Sequence, residues 1–87
     1  MLVKAIKCNK CGDVIYSRCR HDFHWCSCES CAIDGGFDYM KITGHDGDWG
    51  QVDINILDNE SQDKVKNIMF DDWNKNKNKY GTIKGVK

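Results

Sequence analysis

The chain has 87 residues, of which 13 are basic and 13 are acidic, so its formal net charge is zero. This length predicts a single domain, residues 1–87, near the size at which a structural metal or a disulfide still helps to hold the fold. The balanced charge provides no overall attraction to nucleic acid or to an anionic membrane. The sequence also lacks an apolar run of about 20 residues, so it predicts no membrane-spanning segment.

Six cysteines stand out in so short a chain. They can form three disulfides or one metal site with two further thiols, and the redox compartment decides between these alternatives. The opening segment MLVKAIKCNK has no apolar run of signal-peptide length. We therefore expect a protein of the reducing cytoplasm, in which paired cysteines bind a metal.

Residues 1–57 predict a β-rich region of about five short strands. LVKAIK and VIYS flank CNKCG with β-branched and aromatic residues, which predicts a hairpin closed by a metal-binding turn. CAIDGGFDYMKITG predicts a strand, a tight turn at Asp34-Gly35-Gly36 and a second strand. GHDGDWGQVDINIL repeats the pattern, with apolar residues alternating after a glycine-containing turn.

Residues 58–78 predict one C-terminal amphipathic helix. Its apolar stripe is formed by Val65, Ile68, Met69 and Trp73 at helical spacing, and Asn59 is the expected N-cap. Phe70 lies off this stripe. Residues 79–87 are expected to be a tail or an edge strand. Together the patterns predict an α+β fold, a zinc-ribbon-like small β-sheet followed by a helix.

The cysteine spacing leaves two ligand sets open. Cys8 and Cys11 form a CxxC turn that supplies half of a tetrahedral site. Cys28 and Cys31 would complete the usual pattern of two CxxC pairs, with 16 residues between them. Cys26 and Cys28 would instead give a CxC pair after 14 residues. Spacing alone favours Cys28 with Cys31.

CNKCGDVIYSRCRHDFHWCSC followed by AIDGGFDYMKITG resembles a family of small uncharacterised zinc-ribbon-like proteins of bacteria and their phages. Its pattern is CxxCGDxI, then HDF, CxC and DGG with a tyrosine shortly after. The resemblance implies a structural Zn²⁺ held by Cys8, Cys11, Cys26 and Cys28, and it leaves Cys31 as the start of the next strand. Glu29 departs from the glycine that usually follows the CxC pair.

Three other residues of the pattern can serve structure or function. Asp34 is explained by turn chemistry, as are the two glycines that follow it. The alternative is that His21, Asp34 and Tyr39 line a shared binding surface.

Recognisable catalytic sets are missing from the sequence, which has no phosphate-binding glycine loop, HExxH or GxSxG motif. A four-cysteine site also leaves zinc no open position for substrate. We therefore expect no enzyme but a binding module that engages a host or phage protein, acting as an inhibitor or adaptor.

Two other functions remain as alternatives. The first is a nucleic-acid-binding zinc ribbon that uses Tyr16 or Trp25 for stacking. Its basic face would comprise Lys4, Lys7, Lys10, Arg18 and Arg20. The second is a thiol, redox or metal-dependent enzyme, with Cys19 and Cys31 as the reactive thiols.

Overall fold

The computed structural model describes residues 1–84, which form seven β-strands and one α-helix. The strands are β1 (Leu2–Cys8), β2 (Val14–Ile15), β3 (His24–Trp25), β4 (Cys31–Asp34), β5 (Lys41–Gly44), β6 (Trp49–Asn55) and β7 (Thr82–Ile83). The helix α1 (Gln62–Asn74) lies between β6 and β7 in the chain. The predicted α+β class is confirmed.

The strands form two antiparallel sheets, one with the order β6-β1-β2-β7 and one with the order β3-β4-β5. The hairpin around CNKCG is present, with Ile6 opposite Ile15, and β4 and β5 form the hairpin around the glycine turn. The division into two sheets differs from the single sheet of about five strands that we expected. Strands β3 and β7 have two residues each, too few to show an alternating pattern in sequence.

Strand β1 is paired along its whole length with β6, from Leu2 opposite Asn55 to Cys8 opposite Trp49. Its alternate residues Val3 and Ala5 are buried, whereas Lys4 is exposed. This long-range pairing fixes the register of β1, because a shift of one residue would turn the buried side chains to solvent.

Two clusters of buried side chains make up the core. The first surrounds the cysteines and contains Ile6, Ile15 and Ile33. The second includes Tyr16 and receives Val65 and Met69 from α1. The helix therefore packs on the second cluster and not on the cluster that contains the cysteines.

Helix α1 begins later than we expected, and its N-cap is Ser61 rather than Asn59. The Ser61 hydroxyl accepts a hydrogen bond from the backbone N–H of Lys64 at 3.3 Å, which satisfies one of the free donors of the first turn. On the predicted stripe, Ile68 and Trp73 are half-buried. Phe70 is 48% exposed, so it lies outside the buried face.

The segment after α1 returns to the first sheet. Strand β7 pairs with β2 at the sheet edge, so Thr82–Ile83 form the edge strand that was one of the two expectations for residues 79–87. Residues 85–87 lie outside the described residues. Within residues 1–84, no helix has the length and apolar character needed to cross a bilayer.

Candidate metal centre

The first cysteine pair lies where β1 ends: Cys8 is its last residue, and Cys11 lies in the turn that follows. The turn is closed by hydrogen bonds from Cys8 N–H to Asp13 C=O at 2.8 Å and from Gly12 N–H to Cys8 C=O at 2.9 Å. Gly12 has a φ of +80°, a conformation that glycine adopts without steric cost. The N–H groups of Lys10 and Cys11 point at Cys8 Sγ, at 3.4 and 3.5 Å. This turn therefore directs two backbone N–H groups at the Cys8 sulfur.

The second pair lies in the turn between β3 and β4. Cys26 N–H donates to Cys31 C=O at 3.1 Å, and Glu29 N–H donates to Cys26 C=O at 3.0 Å. Glu29 has a φ of +59°, in the left-handed region that favours glycine. The position at which this sequence departs from the resembled pattern is thus one where a glycine would fit without strain.

The two turns bring together the sulfur atoms of Cys8, Cys11, Cys26 and Cys28, all within 4.8 Å of one another. The Cys8–Cys28 and Cys26–Cys28 sulfur distances are 3.5 and 3.6 Å. A tetrahedron with metal–sulfur bonds of about 2.3 Å has edges of about 3.8 Å, so these distances suit a tetrahedral ion such as zinc. Cys28 is exposed and the other three are buried.

Cys31 does not belong to this group of four. It is fully buried, and it is the first residue of β4, as the resemblance implied. Burial, together with the neighbouring sulfur atoms of Cys26 and Cys8, raises the pKa of the Cys31 thiol well above its ordinary value. Cys31 is therefore a buried thiol beside the cluster, not one of its four converging sulfurs.

The four-cysteine cluster has an uneven electrostatic environment. Burial acts to raise the pKa of Cys8, but hydrogen bonds from Cys11 N–H, the Ser30 hydroxyl and Lys10 N–H outweigh it and hold this pKa at about 5. Burial dominates at Cys11 and raises its pKa to about 11. A bound cation would favour the thiolate at every ligand, so metal binding would release protons.

Three polar residues that the sequence analysis did not single out support the cluster. The Ser30 hydroxyl lies 3.1 Å from Cys8 Sγ and 3.0 Å from Cys28 Sγ. The buried carboxylate of Asp13 accepts hydrogen bonds from both the N–H, at 2.9 Å, and the hydroxyl of Ser27. Because Asp13 follows the first cysteine pair and Ser27 lies within the second, this contact joins the two turns directly.

Arg18 corrects the expectation of a basic face. Its guanidinium is 5% exposed and pairs with Asp22 at 2.8 Å and with Asp72 of α1 at 2.7 Å. Asp72 also accepts hydrogen bonds from the N–H groups of Lys79 and Tyr80, at 2.9 and 3.0 Å. Arg18 thus links the loop after β2, the helix and the C-terminal segment, and it is not available to a phosphate.

Several other members of the expected nucleic-acid face are buried or paired with carboxylates. Tyr16, named as a stacking candidate, is 3% exposed and cannot stack on a base. Lys10 pairs with Asp48 at 3.6 Å, and Arg20 pairs with Asp38 at 3.5 Å. Trp25, the other stacking candidate, is exposed and packs against Phe23 with ring centroids 5.5 Å apart.

The three residues of the expected binding surface have separate surroundings. The His21 ring lies 6.1 Å from that of Trp73 on α1. Asp34 accepts a hydrogen bond from Gly35 N–H at 2.8 Å, as turn chemistry predicts. Tyr39 is 51% exposed and packs over Gly35, so Asp34 and Tyr39 flank one turn while His21 lies against the helix.

The geometry defines a small α+β domain with a four-cysteine cluster that can hold a metal ion. Residues 1–44, just over half of the chain, match the model of a family described as a domain of unknown function, DUF7695, and the chain belongs to this family. No curated protein and no solved structure matches the chain. The matched segment contains every cysteine of the cluster.

Proposed function

We propose that this protein is a zinc-binding interaction module of the cytoplasm that binds a host or phage protein, as an inhibitor or adaptor, and has no catalytic activity of its own. The convergence of four cysteine sulfurs on one point carries the proposal. Four thiolates fill the coordination sphere of zinc and leave no open position, which is the pattern of structural and not of catalytic sites.

The surface supports a protein partner. The N-terminal region presents fewer unpaired positive charges than the sequence predicted, because Arg18 is buried and Lys10 and Arg20 pair with carboxylates. Large apolar side chains nevertheless remain exposed, including Leu2 at 68% and Tyr39 at 51%. Exposed aromatic and aliphatic side chains of this kind are the usual anchors of protein–protein contacts.

A nucleic-acid partner is the second candidate, on one specific observation. Phe23 and Trp25 form a pair of exposed rings at the edge of the second sheet. Exposed aromatic rings on a sheet are used by single-strand binders as stacking platforms.

The metal assignment is tested by measuring metal per protein after expression without added zinc. We expect one zinc per chain, lost in Cys26→Ser and kept in the matched variant Cys31→Ser. Iron in place of zinc would change the identity of the cofactor, because four thiolates also suit iron. Loss of the metal in Cys31→Ser with retention in Cys26→Ser would overturn the ligand set.

The partner assignment is tested by affinity purification with and without nuclease. One protein retained in stoichiometric amount after nuclease treatment supports the proposed function. Loss of every partner after nuclease, together with steeply salt-dependent binding to single-stranded nucleic acid, would favour the second candidate.

A further inference from the structure

Strand β1 has an edge that is only partly covered. Met1 and Ile56 exchange both backbone hydrogen bonds, at 2.8 and 2.9 Å. In an antiparallel pair such bonded positions alternate, so Val3 and Ala5 also direct their N–H and C=O groups at β6. The backbone groups of Leu2 and Lys4 therefore point away from β6.

On that second side, β2 covers only the end of β1. Its two residues pair with Ile6 and Lys7, and Cys8 N–H beyond them bonds to Asp13. Within residues 1–84, the N–H and C=O groups of Leu2 and Lys4 have no hydrogen-bond partner. The first half of β1 is thus an open sheet edge.

A cleft lies beside this edge. It has a volume of about 220 Å³ and is lined by residues 1–4 and 36–40, with no contribution from β6 among the described residues. Phe37 and Met40 supply apolar walls. The volume is below the range of about 300–1,000 Å³ that is typical of small-molecule sites, and it suits a few inserted side chains instead.

The free charge at the edge is positive. Lys4 is exposed and makes no ion pair within residues 1–84, whereas Asp38 on the other side of the cleft is already paired with Arg20. If a strand were added at this edge, the side chain of the residue opposite Lys4 would lie on the same face of the sheet as the Lys4 side chain. The residues before and after it would face the cleft, on the side of Val3.

We propose that the open edge of β1 accepts an extended segment of a partner protein by strand addition, with a carboxylate opposite Lys4 and apolar residues on either side of it. This inference rests on the proposed function, whose partner is a protein, and it names the surface and the chemistry of the segment. Main-chain hydrogen bonds provide affinity in this binding mode, and the alternate side chains provide specificity. A second copy of the chain is a poorer occupant, because self-pairing would bring two Lys4 side chains together along an edge of very few residues.

The probe is the synthetic peptide acetyl-Ser-Ile-Glu-Ile-Glu-Ile-Ser-amide, added to the zinc-loaded protein labelled with ¹⁵N. We expect chemical-shift changes at residues 2–4 and 36–40 and slower hydrogen exchange of the Lys4 amide. The same peptide with both glutamate nitrogens methylated cannot donate to the edge and should bind at least tenfold more weakly. This comparison requires no change in the protein.

Two variants complete the test. Lys4→Pro removes the outward N–H and the charge, so it should reduce peptide affinity at least tenfold. The control Lys7→Gln, in which the altered residue directs its backbone at β6, should leave affinity unchanged. Binding that survives methylation of the peptide, shifts that fall elsewhere, no binding at all, or a dimer that Lys4→Pro dissociates would each overturn the proposal.

The failure of this inference can be told apart from failure of the proposed function. If Lys4→Pro keeps zinc and also keeps the stoichiometric protein partner in the affinity purification, the edge is not the docking surface but the module still binds a protein. If the wild-type chain retains no protein partner after nuclease treatment, the proposed function itself fails.

Discussion

At the scale of single residues, Glu29 shows local strain beside the candidate metal ligands. Its φ of +59° places a side chain with a β-carbon in the left-handed region, immediately after the second cysteine pair. This conformation costs a non-glycine residue roughly 1–2 kcal/mol. The strain lies in the turn that orients Cys26 and Cys28.

We expect Glu29→Gly to stabilise the zinc-loaded protein by about 0.5–1 kcal/mol, since relief of the strain exceeds the greater entropy of glycine in the unfolded chain. The measurement is the free energy of unfolding in urea. Glu29→Ala, which keeps the β-carbon, is the matched control and should not show the gain. A gain as large in Glu29→Ala would locate the effect in the carboxylate instead.

Asp22 predicts a pH dependence of stability. Burial acts to raise its pKa, but the His24 ring, 3.6 Å from the carboxylate, and hydrogen bonds from the side chain and N–H of Arg18 outweigh it and hold the pKa at about 2, below the ordinary 3.8. A lowered pKa in the folded state means that the stabilisation is complete above about pH 4 and is lost as the pH falls toward 2.

Near neutral pH, we expect the free energy of unfolding of wild type to exceed that of Asp22→Asn by about 1–2 kcal/mol. This figure follows from the lowered pKa of Asp22, reduced for solvent screening. The difference should shrink between pH 4 and 2, measured by denaturant unfolding of both proteins at each pH. A difference that stays constant over this range would show that the Asp22 carboxylate does not titrate as described.

At the scale of elements, α1 is anchored by a charged contact as well as by its apolar stripe. Asp72 is 2% exposed and receives Arg18 from the loop after β2 and two N–H groups from the segment that leads to β7. The adjacent Asp71 is more exposed and pairs with Lys75 and Lys77. Neighbouring aspartates on one helix therefore have different roles.

Asp72→Ala should lower the free energy of unfolding by about 3–5 kcal/mol, because it leaves the guanidinium of Arg18 buried with one partner fewer. Asp71→Ala is the matched control and should have little effect, since exposed ion pairs contribute little. Thermal unfolding of the two variants at the same pH provides the comparison. Equal destabilisation by both would contradict the anchoring role of Asp72.

The elements that the sequence predicted are those with local signals. The hairpin around CNKCG, the hairpin around Asp34-Gly35-Gly36 and the helical stripe of Val65 and Met69 each depend on residues close in the chain. The N-cap lies two residues later than expected, at Ser61 instead of Asn59, because both residue types are good caps. Local chemistry cannot choose between two adequate caps.

The features that sequence reasoning missed depend on distant pairs. Arg18 looks like a surface cation until Asp72, 54 residues away, is brought beside it. The pairing of β1 with β6 and the return of β7 to β2 likewise join segments that carry no mutual signal in one sequence. The four converging cysteines were predicted only with the help of the resemblance, because spacing alone favoured Cys31.

At the scale of the whole molecule, the cysteine cluster connects the two sheets. Cys8 is the last residue of β1 in the first sheet and Cys11 follows that strand, while Cys26 and Cys28 precede β4 of the second sheet. The second sheet has strands of only two to four residues, a size that is marginal by itself in water. A metal at this point would therefore stabilise the second sheet more than the first.

Removal of the metal with a chelator should accordingly increase hydrogen exchange first at the amides of β3 and β4 and later at those of β1 and β6. Trp49 packs against the cysteine-containing core, so its fluorescence should shift to longer wavelength at the same time. Addition of zinc should restore both signals. Exchange that rises equally in both sheets would mean that the metal stabilises the domain as one unit.

The pairing of β1 with β6 extends beyond the segment that matches the family. The family match ends at residue 44, whereas β6 occupies residues 49–55 and β7 residues 82–83. A fragment cut at residue 44 would keep all its cysteines but expose both edges of β1 over most of its length, so we expect it to aggregate where the full chain stays monodisperse in size-exclusion chromatography. The matched segment thus ends before the strand that pairs with β1 along its whole length.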